Sequence, residues 1–167
     1  MNRRMAVVLL MAAVAAGCKK GAPTPEAAEA KDDVKGVTEA YMAAWNAHDA
    51  AKAASYFADS VTYYDASVGV PVIGRDSAQA KVIQVFLTAV PDCSWTMEGP
   101  MVVGDHGMAF QWVFKGTNTG PWSDGTKATG KPFELRGLTM IRVRNGKILY
   151  QGDYYDALGF YKQLGMM

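Results

Sequence analysis

The sequence changes its period at Pro91, and that change restricts the folds open to it. Before Pro91, apolar residues recur at helical spacing: Val34, Val37, Tyr41, Ala44 and Trp45, then Ala78, Val82, Val85, Phe86 and Ala89. After it, Cys93 to Val103, Met108 to Thr117, Phe133 to Val143 and Lys147 to Tyr155 read as strands. Their punctuation is Gly104-Asp105-His106-Gly107, a loop from Thr119 to Lys131, and Asn145-Gly146. Helices followed by a run of antiparallel strands predict an α+β domain, with three or four helices packed on one side of a mostly antiparallel sheet. Asp32 or Asp33 can cap the first helix. His48-Asp49 breaks it, and a second short helix carries Ala51, Ala54, Tyr56 and Phe57. Val61 to Tyr64 reads as a strand, Arg75 to Val90 as a third helix, and Asp156 to Leu164 as a last one.

The hairpin at Asn145-Gly146 sets which residues face inward. A two-residue turn pairs Arg144 with Lys147 and puts Asp153 on one face with Arg136, Leu138, Met140 and Arg142. A three-residue loop with Gly146 in the left-handed conformation pairs Val143 with Lys147. Asp153 then shares a face with Gly137, Thr139, Ile141 and Val143. One slip reverses every side chain. The three-residue loop is preferred, because it sends Arg142 outward and buries Val143, Ile141 and Leu149. It leaves Leu138, Met140, Ile148, Tyr150 and Tyr154 on the outer face, and so apolar a face predicts a homodimer.

The first residues carry a separate message. Met1-Asn-Arg-Arg is basic, Met5 to Ala16 is apolar, and Ala15-Ala16-Gly17-Cys18 follows. This is the layout of a secretory signal peptide. The apolar run is shorter than the roughly 20 residues that span a bilayer. With the Cys directly after Ala-Ala-Gly it resembles the bacterial lipoprotein signal, in which that Cys is acylated. The expected organisation is a signal peptide over 1–17, a lipidated Cys18 and flexible tether over 18–31, and one domain over 32–167. The expected location is the cell envelope, anchored by lipid. Lys19 and Lys20 favour the outer membrane over the inner.

Losing Arg3 and Arg4 with the signal takes the formal charge from +1 to about −1. That balance gives no reason to expect a nucleic-acid partner. Cys93 is then left without a second cysteine, so no intramolecular disulfide is expected. The two histidines are far apart and no Cys/His pair has metal-ligand spacing, so neither a metal nor a cofactor is expected.

Tyr41-Met-Ala-Ala-Trp45-Asn-Ala-His48-Asp49, then Tyr56-Phe57-Ala58-Asp59-Ser60-Val61 and Gly74-Arg75, resemble the NTF2-like superfamily. Gly116-Thr117-Asn118-Thr119-Gly120, Thr129-Gly130-Lys131, Arg136-Gly137, Asn145-Gly146-Lys147-Ile148, Asp153 and Gln163-Leu164-Gly165 resemble its SnoaL-like polyketide cyclase, or ester cyclase, branch. The resemblance implies a strongly curved sheet and helices forming a cone around an apolar pocket, and a small apolar ligand. It places the acid/base of ring closure at Asp153. Two positions depart from the cyclases. Asn118 stands where they carry His in Gly-Thr-His-Thr-Gly, and Tyr150-Gln151-Gly152-Asp153 replaces Glu-His-Trp-Asp. Asn and Gln donate hydrogen bonds but do not relay protons.

A second resemblance, to the ketosteroid isomerases of the same superfamily, matches Tyr41 to an oxyanion-hole tyrosine and Asp65 to a general base. That enzyme class is a standard example of carboxyl pKa tuning in an apolar site. Its second oxyanion donor falls at Thr139. The candidate catalytic residues are therefore Asp153 and Asp65. The candidate ligand-binding residues are Tyr41, Trp45, Tyr63, Trp112, Asn118, Thr139 and Gln151. Each also has a plain structural alternative: Asp153 as a helix cap or solvated carboxylate, Asp65 ending a strand in a turn, the aromatics as core. Two functions stay open. One is binding of an apolar carbonyl compound, with proton transfer on it. The other is a non-enzymatic dimeric scaffold or binding module of the envelope.

Overall fold

The computed structural model describes residues 31–167. The signal peptide, Cys18 and all of the tether but Lys31 lie outside the described residues. Helix α1 (Val34–Asn46) is capped by Asp33, whose carboxylate accepts from Gly36 N at 2.9 Å. Asp32 does other work: it meets His106 Nδ1 at 3.0 Å and accepts from Gly146 N, fastening the start of the domain to two turns. His48 then takes a left-handed φ of 56° and its Nε2 meets Cys93 O at 2.9 Å. The helix α2 (Ala50–Ala54) follows, capped by Asp49.

Strand β1 (Phe57–Asp65) begins earlier than the sequence predicts, taking Phe57 from the expected helix. The short β2 (Val72–Ile73) pairs with it at the sheet edge. A continuous helical rod comes next: α3 (Arg75–Ala78), a π-helical stretch (Gln79–Ile83) and α4 (Gln84–Ala89). Four long strands complete the sheet: β3 (Ser94–Val103), β4 (Gly107–Thr117), β5 (Pro132–Arg144) and β6 (Lys147–Tyr155). The last helix, α5 (Ala157–Leu164), is capped by Asp156 and ends at Gly165 with a left-handed φ of 70°. The result is an α+β fold with a six-stranded mixed sheet in the order β2-β1-β6-β5-β4-β3. Only β1 and β6 run parallel among its neighbouring pairs.

The hairpin corrects one expectation and preserves its consequence. Asn145 (φ 52°) and Gly146 (φ 70°) form a two-residue turn, and Arg144 pairs with Lys147, not Val143. This is the turn that the dipeptide favours. Ile148 therefore pairs with Val143 and is buried, where an outward position was expected. A bulge then intervenes: Arg142 pairs with Tyr150, so Leu149 is the extra residue. Beyond it Ile141 faces Gln151 and Thr139 faces Asp153, the register that puts Asp153 inside.

The inner face of the sheet carries Met108, Phe110, Trp112 and Phe114 from β4 and Phe133, Leu135, Thr139, Ile141 and Val143 from β5. Tyr41 and Trp45 of α1, Phe86 of α4 and Phe160 of α5 close over it. Gly137 is required where it stands. The Trp112 indole lies across it, and a Cβ there would meet Trp112 Cζ2 at 2.3 Å.

Candidate functional site

Two adjacent parallel strands bring Asp65 and Asp153 to one level, because Asp65 of β1 is the register partner of Asp153 of β6. Both carboxylates are buried, at 4% and 6% exposure, and both line a narrow cleft of about 30 Å³. The rest of its wall is almost wholly aromatic: Trp45, Tyr63, Phe86, Trp95, Trp112, Phe114 and Tyr155, with Leu135. An apolar wall with a few convergent polar groups is the usual make-up of a ligand site.

Asp153 is held from three sides. Thr139 Oγ1 donates to Oδ1 at 2.5 Å and Tyr63 Oη to Oδ2 at 2.7 Å. Gln151 Nε2 reaches both oxygens, at 3.2 and 2.9 Å. Trp112 Nε1 donates to Thr139 Oγ1 at 2.7 Å, which fixes the hydroxyl hydrogen toward the carboxylate. Strand alternation explains the set. Gln151 and Asp153 are two apart on β6, Tyr63 pairs with Gln151, and Thr139 pairs with Asp153. Burial, and then the charge of Asp65, push the Asp153 carboxyl up to about 7 against the pull of these donors. It can thus gain or lose a proton near neutral pH.

Asp65 is bound differently. Its Oδ1 accepts from Ser67 N (2.8 Å), Ser67 Oγ (2.6 Å), Val68 N (3.3 Å) and Tyr155 Oη (2.9 Å). The same carboxylate therefore organises the turn after β1 and faces the cleft. Burial raises its pKa and the Ser67 and Tyr155 donors oppose that rise.

Behind the cleft, Tyr41 lies beside Trp45, Tyr63 and Gln151, and burial drives its hydroxyl pKa upward, so it remains protonated. Tyr41 Oη, Trp45 Nε1 and Gln151 Oε1 are buried with no hydrogen-bond partner among the described residues. Such groups carry a desolvation cost that a ligand or water relieves.

The structure brings Asp153, Asp65, Tyr63, Trp45 and Trp112 onto the cleft wall and sets Thr139, Gln151 and Tyr41 directly behind it. Asn118 is elsewhere. Its Nδ2 donates to Ala89 O and Gly120 O, both at 2.9 Å, and its Oδ1 accepts from Thr129 N. With every amide group engaged, it ties down both ends of the loop between β4 and β5 rather than facing a ligand. Trp122, in that loop, packs against Phe86 and Phe160. Phe86, Trp95, Phe114, Leu135 and Tyr155 of the cleft wall were not among the candidates; strand alternation from Asp153 was the signal for Tyr155. Cys93 is buried, and burial pushes its thiol up to about 11. Among the described residues no three His, Cys, Asp or Glu side chains converge as a metal site, and no helix is long and apolar enough to cross a membrane.

This architecture recurs in solved structures. IdmH from Streptomyces antibioticus is 24% identical with a TM-score of 0.65, over 80% of this chain and 99% of that one. A protein of ketosteroid isomerase-like fold from Catenulispora acidiphila, in complex with trimethylamine, gives 21% and 0.65 over 77% and 92%. TerC, co-crystallised with polyporic acid, gives 13% and 0.63 over 78% and 97%. At these identities the likeness shows the fold. Among proteins with curated descriptions, none matches this chain. The sequence profile of the SnoaL-like polyketide cyclases matches residues 35–164, and the chain belongs to that family.

Proposed function

We propose that the cleft binds a small apolar carbonyl compound and that Asp153 moves a proton at the carbon next to its carbonyl. The observation that carries this reading is Asp153 itself: a buried carboxyl with a pKa of about 7, oriented by Thr139, Tyr63 and Gln151 in an aromatic cleft. A catalytic acid/base works best with a pKa near the working pH. The Trp45 N–H, on the cleft wall and without a partner among the described residues, is a donor for a carbonyl oxygen, whose negative charge grows as the proton leaves. Asp65 is the second carboxylate within the cleft and the alternative base. The family's name and a fold relative co-crystallised with polyporic acid support an apolar ligand.

The test is hydrogen–deuterium exchange at the α-carbon of 2-tetralone in deuterated buffer, followed by NMR. Exchange above the buffer rate, lost in Asp153→Asn, is the expected result. Exchange that is absent, or equal in the variant, removes the proton-transfer reading.

The chain's place is part of the proposal: a lipoprotein of the cell envelope, acylated at Cys18 and held at the outer membrane. Its support is the order of basic, apolar and small residues before that cysteine. Palmitate labelling that disappears in Cys18→Ser tests it, and the absence of label from the native chain refutes it.

A second reading, a dimeric binding module without turnover, has its own observation. The outer sheet face exposes Leu138, Met140 and Tyr154 at 40, 45 and 45%. We propose that a second copy of the chain covers this face.

A further inference from the structure

A groove of about 250 Å³ lies next to the cleft and shares Phe86 with it as a wall. Ser67, whose hydroxyl donates to Asp65, lines the groove, so the two spaces meet at both Phe86 and the turn after β1. The other side of the groove is formed by the loop between β4 and β5. There Trp122 stands edge-on to Phe86 at 5.7 Å and to Phe160 at 5.9 Å. Its Nε1 is buried without a hydrogen-bond partner among the described residues. Lys81, exposed on the π-helical stretch, lines the same groove and makes no ion pair among the described residues. Asp124 also lines it, but its carboxylate is turned to its own loop, accepting from Thr126 N at 2.8 Å.

Resting on the reading of the cleft as a ligand site, we propose that this groove is its outer half, for an elongated apolar ligand. The carbonyl end enters the cleft past Phe86, and an anionic acceptor group at the far end is held by Trp122 Nε1–H and the Lys81 ammonium. The cleft alone, at about 30 Å³, is far below the range for ligand pockets, and the groove beside it, at about 250 Å³, adds room, an apolar body, the unpartnered Trp122 N–H and the Lys81 ammonium. A buried indole N–H without an acceptor is costly, and an oxygen of the ligand removes that cost. The pairing of a donor with a cation selects an anion over a neutral group.

The probe is 8-anilinonaphthalene-1-sulfonate, an apolar aromatic anion, compared with N-phenyl-1-naphthylamine, the same aromatic body without the sulfonate. The full chain with Cys18→Ser, which keeps lipid and detergent out of the sample, is titrated by fluorescence. Lys81→Met and Trp122→Phe are each expected to weaken the sulfonate probe roughly threefold to tenfold and leave the neutral one within about twofold. Asp124→Asn is expected to tighten the sulfonate probe, and Val85→Trp, which fills the groove, to abolish both. Binding indifferent to Val85→Trp but lost in Met140→Glu puts the probe on the outer sheet and overturns the proposal. So does an equal loss of both probes in Lys81→Met, a benign exposed change. Absent 2-tetralone exchange with this binding pattern intact would remove the chemistry and keep the groove.

Discussion

Asp65 and Asp153 are neighbours across parallel strands, yet one spends a single oxygen on four donors while the other divides its donors over both. Burial raises the pKa of each, and the charge of Asp65 adds to the rise at Asp153. Neutralising Asp65 should therefore lower its partner. In Asp65→Asn the Asp153 midpoint is expected below its value of about 7, read by carboxyl carbon NMR. A midpoint unchanged or higher would mean that the two groups do not interact.

The same shift makes stability depend on pH with a defined sign. Asp153 has a higher pKa folded than unfolded, so between about pH 4 and 7 the folded chain holds a proton that the unfolded chain has released. Its stabilising contribution is complete below pH 4 and is lost as pH rises through 7, a total on the order of 4 kcal/mol. Asp32, Asp92 and Asp124, held below the usual carboxylate range by hydrogen bonds, titrate on the acid side of that window. Urea unfolding at pH 5 and pH 8 should show the native chain weaker at pH 8, and Asp153→Asn should flatten the difference. An equal slope in the variant would assign the effect to another group.

How much of this was legible can be argued from single residues. The α+β class followed from the change of period at Pro91, because periodicity reports which face is buried. The inward position of Asp153 followed from burying Val143 and Ile141, although the turn expected to achieve it was wrong. Asn145-Gly146 took its intrinsic two-residue geometry, and a bulge at Leu149 restored the register. A bulge has no local signature in this sequence, since Ile148 and Leu149 are equally apolar. Asn118 was drawn toward the ligand by its place in a family motif, but the demand it meets is local: backbone groups of Ala89, Gly120 and Thr129. A motif position fixes neighbourhood, whereas the direction of a side chain depends on which backbone groups need partners.

Gly137 couples the sheet to the carboxylate. An added Cβ would meet the Trp112 ring and, at 2.8 Å, the Tyr154 carbonyl. Trp112 is buried and cannot yield without releasing Thr139, the donor to Asp153. Gly137→Ala should cost about 1–3 kcal/mol in urea unfolding. It should also raise the Asp153 midpoint as the Thr139 donor is lost. Overpacking that lowered stability but left the midpoint in place would show that Trp112 is not the link.

Asn118→Ala leaves the Gly120 carbonyl and the Thr129 amide without partners and takes from the Ala89 carbonyl one of its two donors, at the base of the loop between β4 and β5. A loss of roughly 3 kcal/mol is expected, with faster proteolysis confined to residues 119–131. Restoring the family's His at this position should not rescue stability, because imidazole cannot supply two donors and an acceptor in the amide's geometry. Full stability in either variant would show that the loop is held by Trp122 packing alone.

The outer sheet face gives the last prediction. Leu138 and Met140 of β5 stand beside Tyr154 of β6, whose hydroxyl meets Tyr150 Oη at 2.6 Å and whose ring lies 5.3 Å from Tyr64. The face is thus continuous across β1, β6 and β5, and burial of apolar area is the main gain when such a face is covered. A two-fold dimer would place Met140 against its own copy or near it, where a carboxylate is repelled and desolvated. Met140→Glu should give a monomer by sedimentation velocity. Its melting temperature under dilute conditions should match the native chain, because Met140 is 45% exposed in the single copy. A native chain that sediments as a monomer at tens of micromolar would remove the dimer, and with it the observation behind the scaffold reading. A dimer that survives Met140→Glu would move the interface to another face, where Met101, Val102 and Val103 of β3 are the next exposed apolar group.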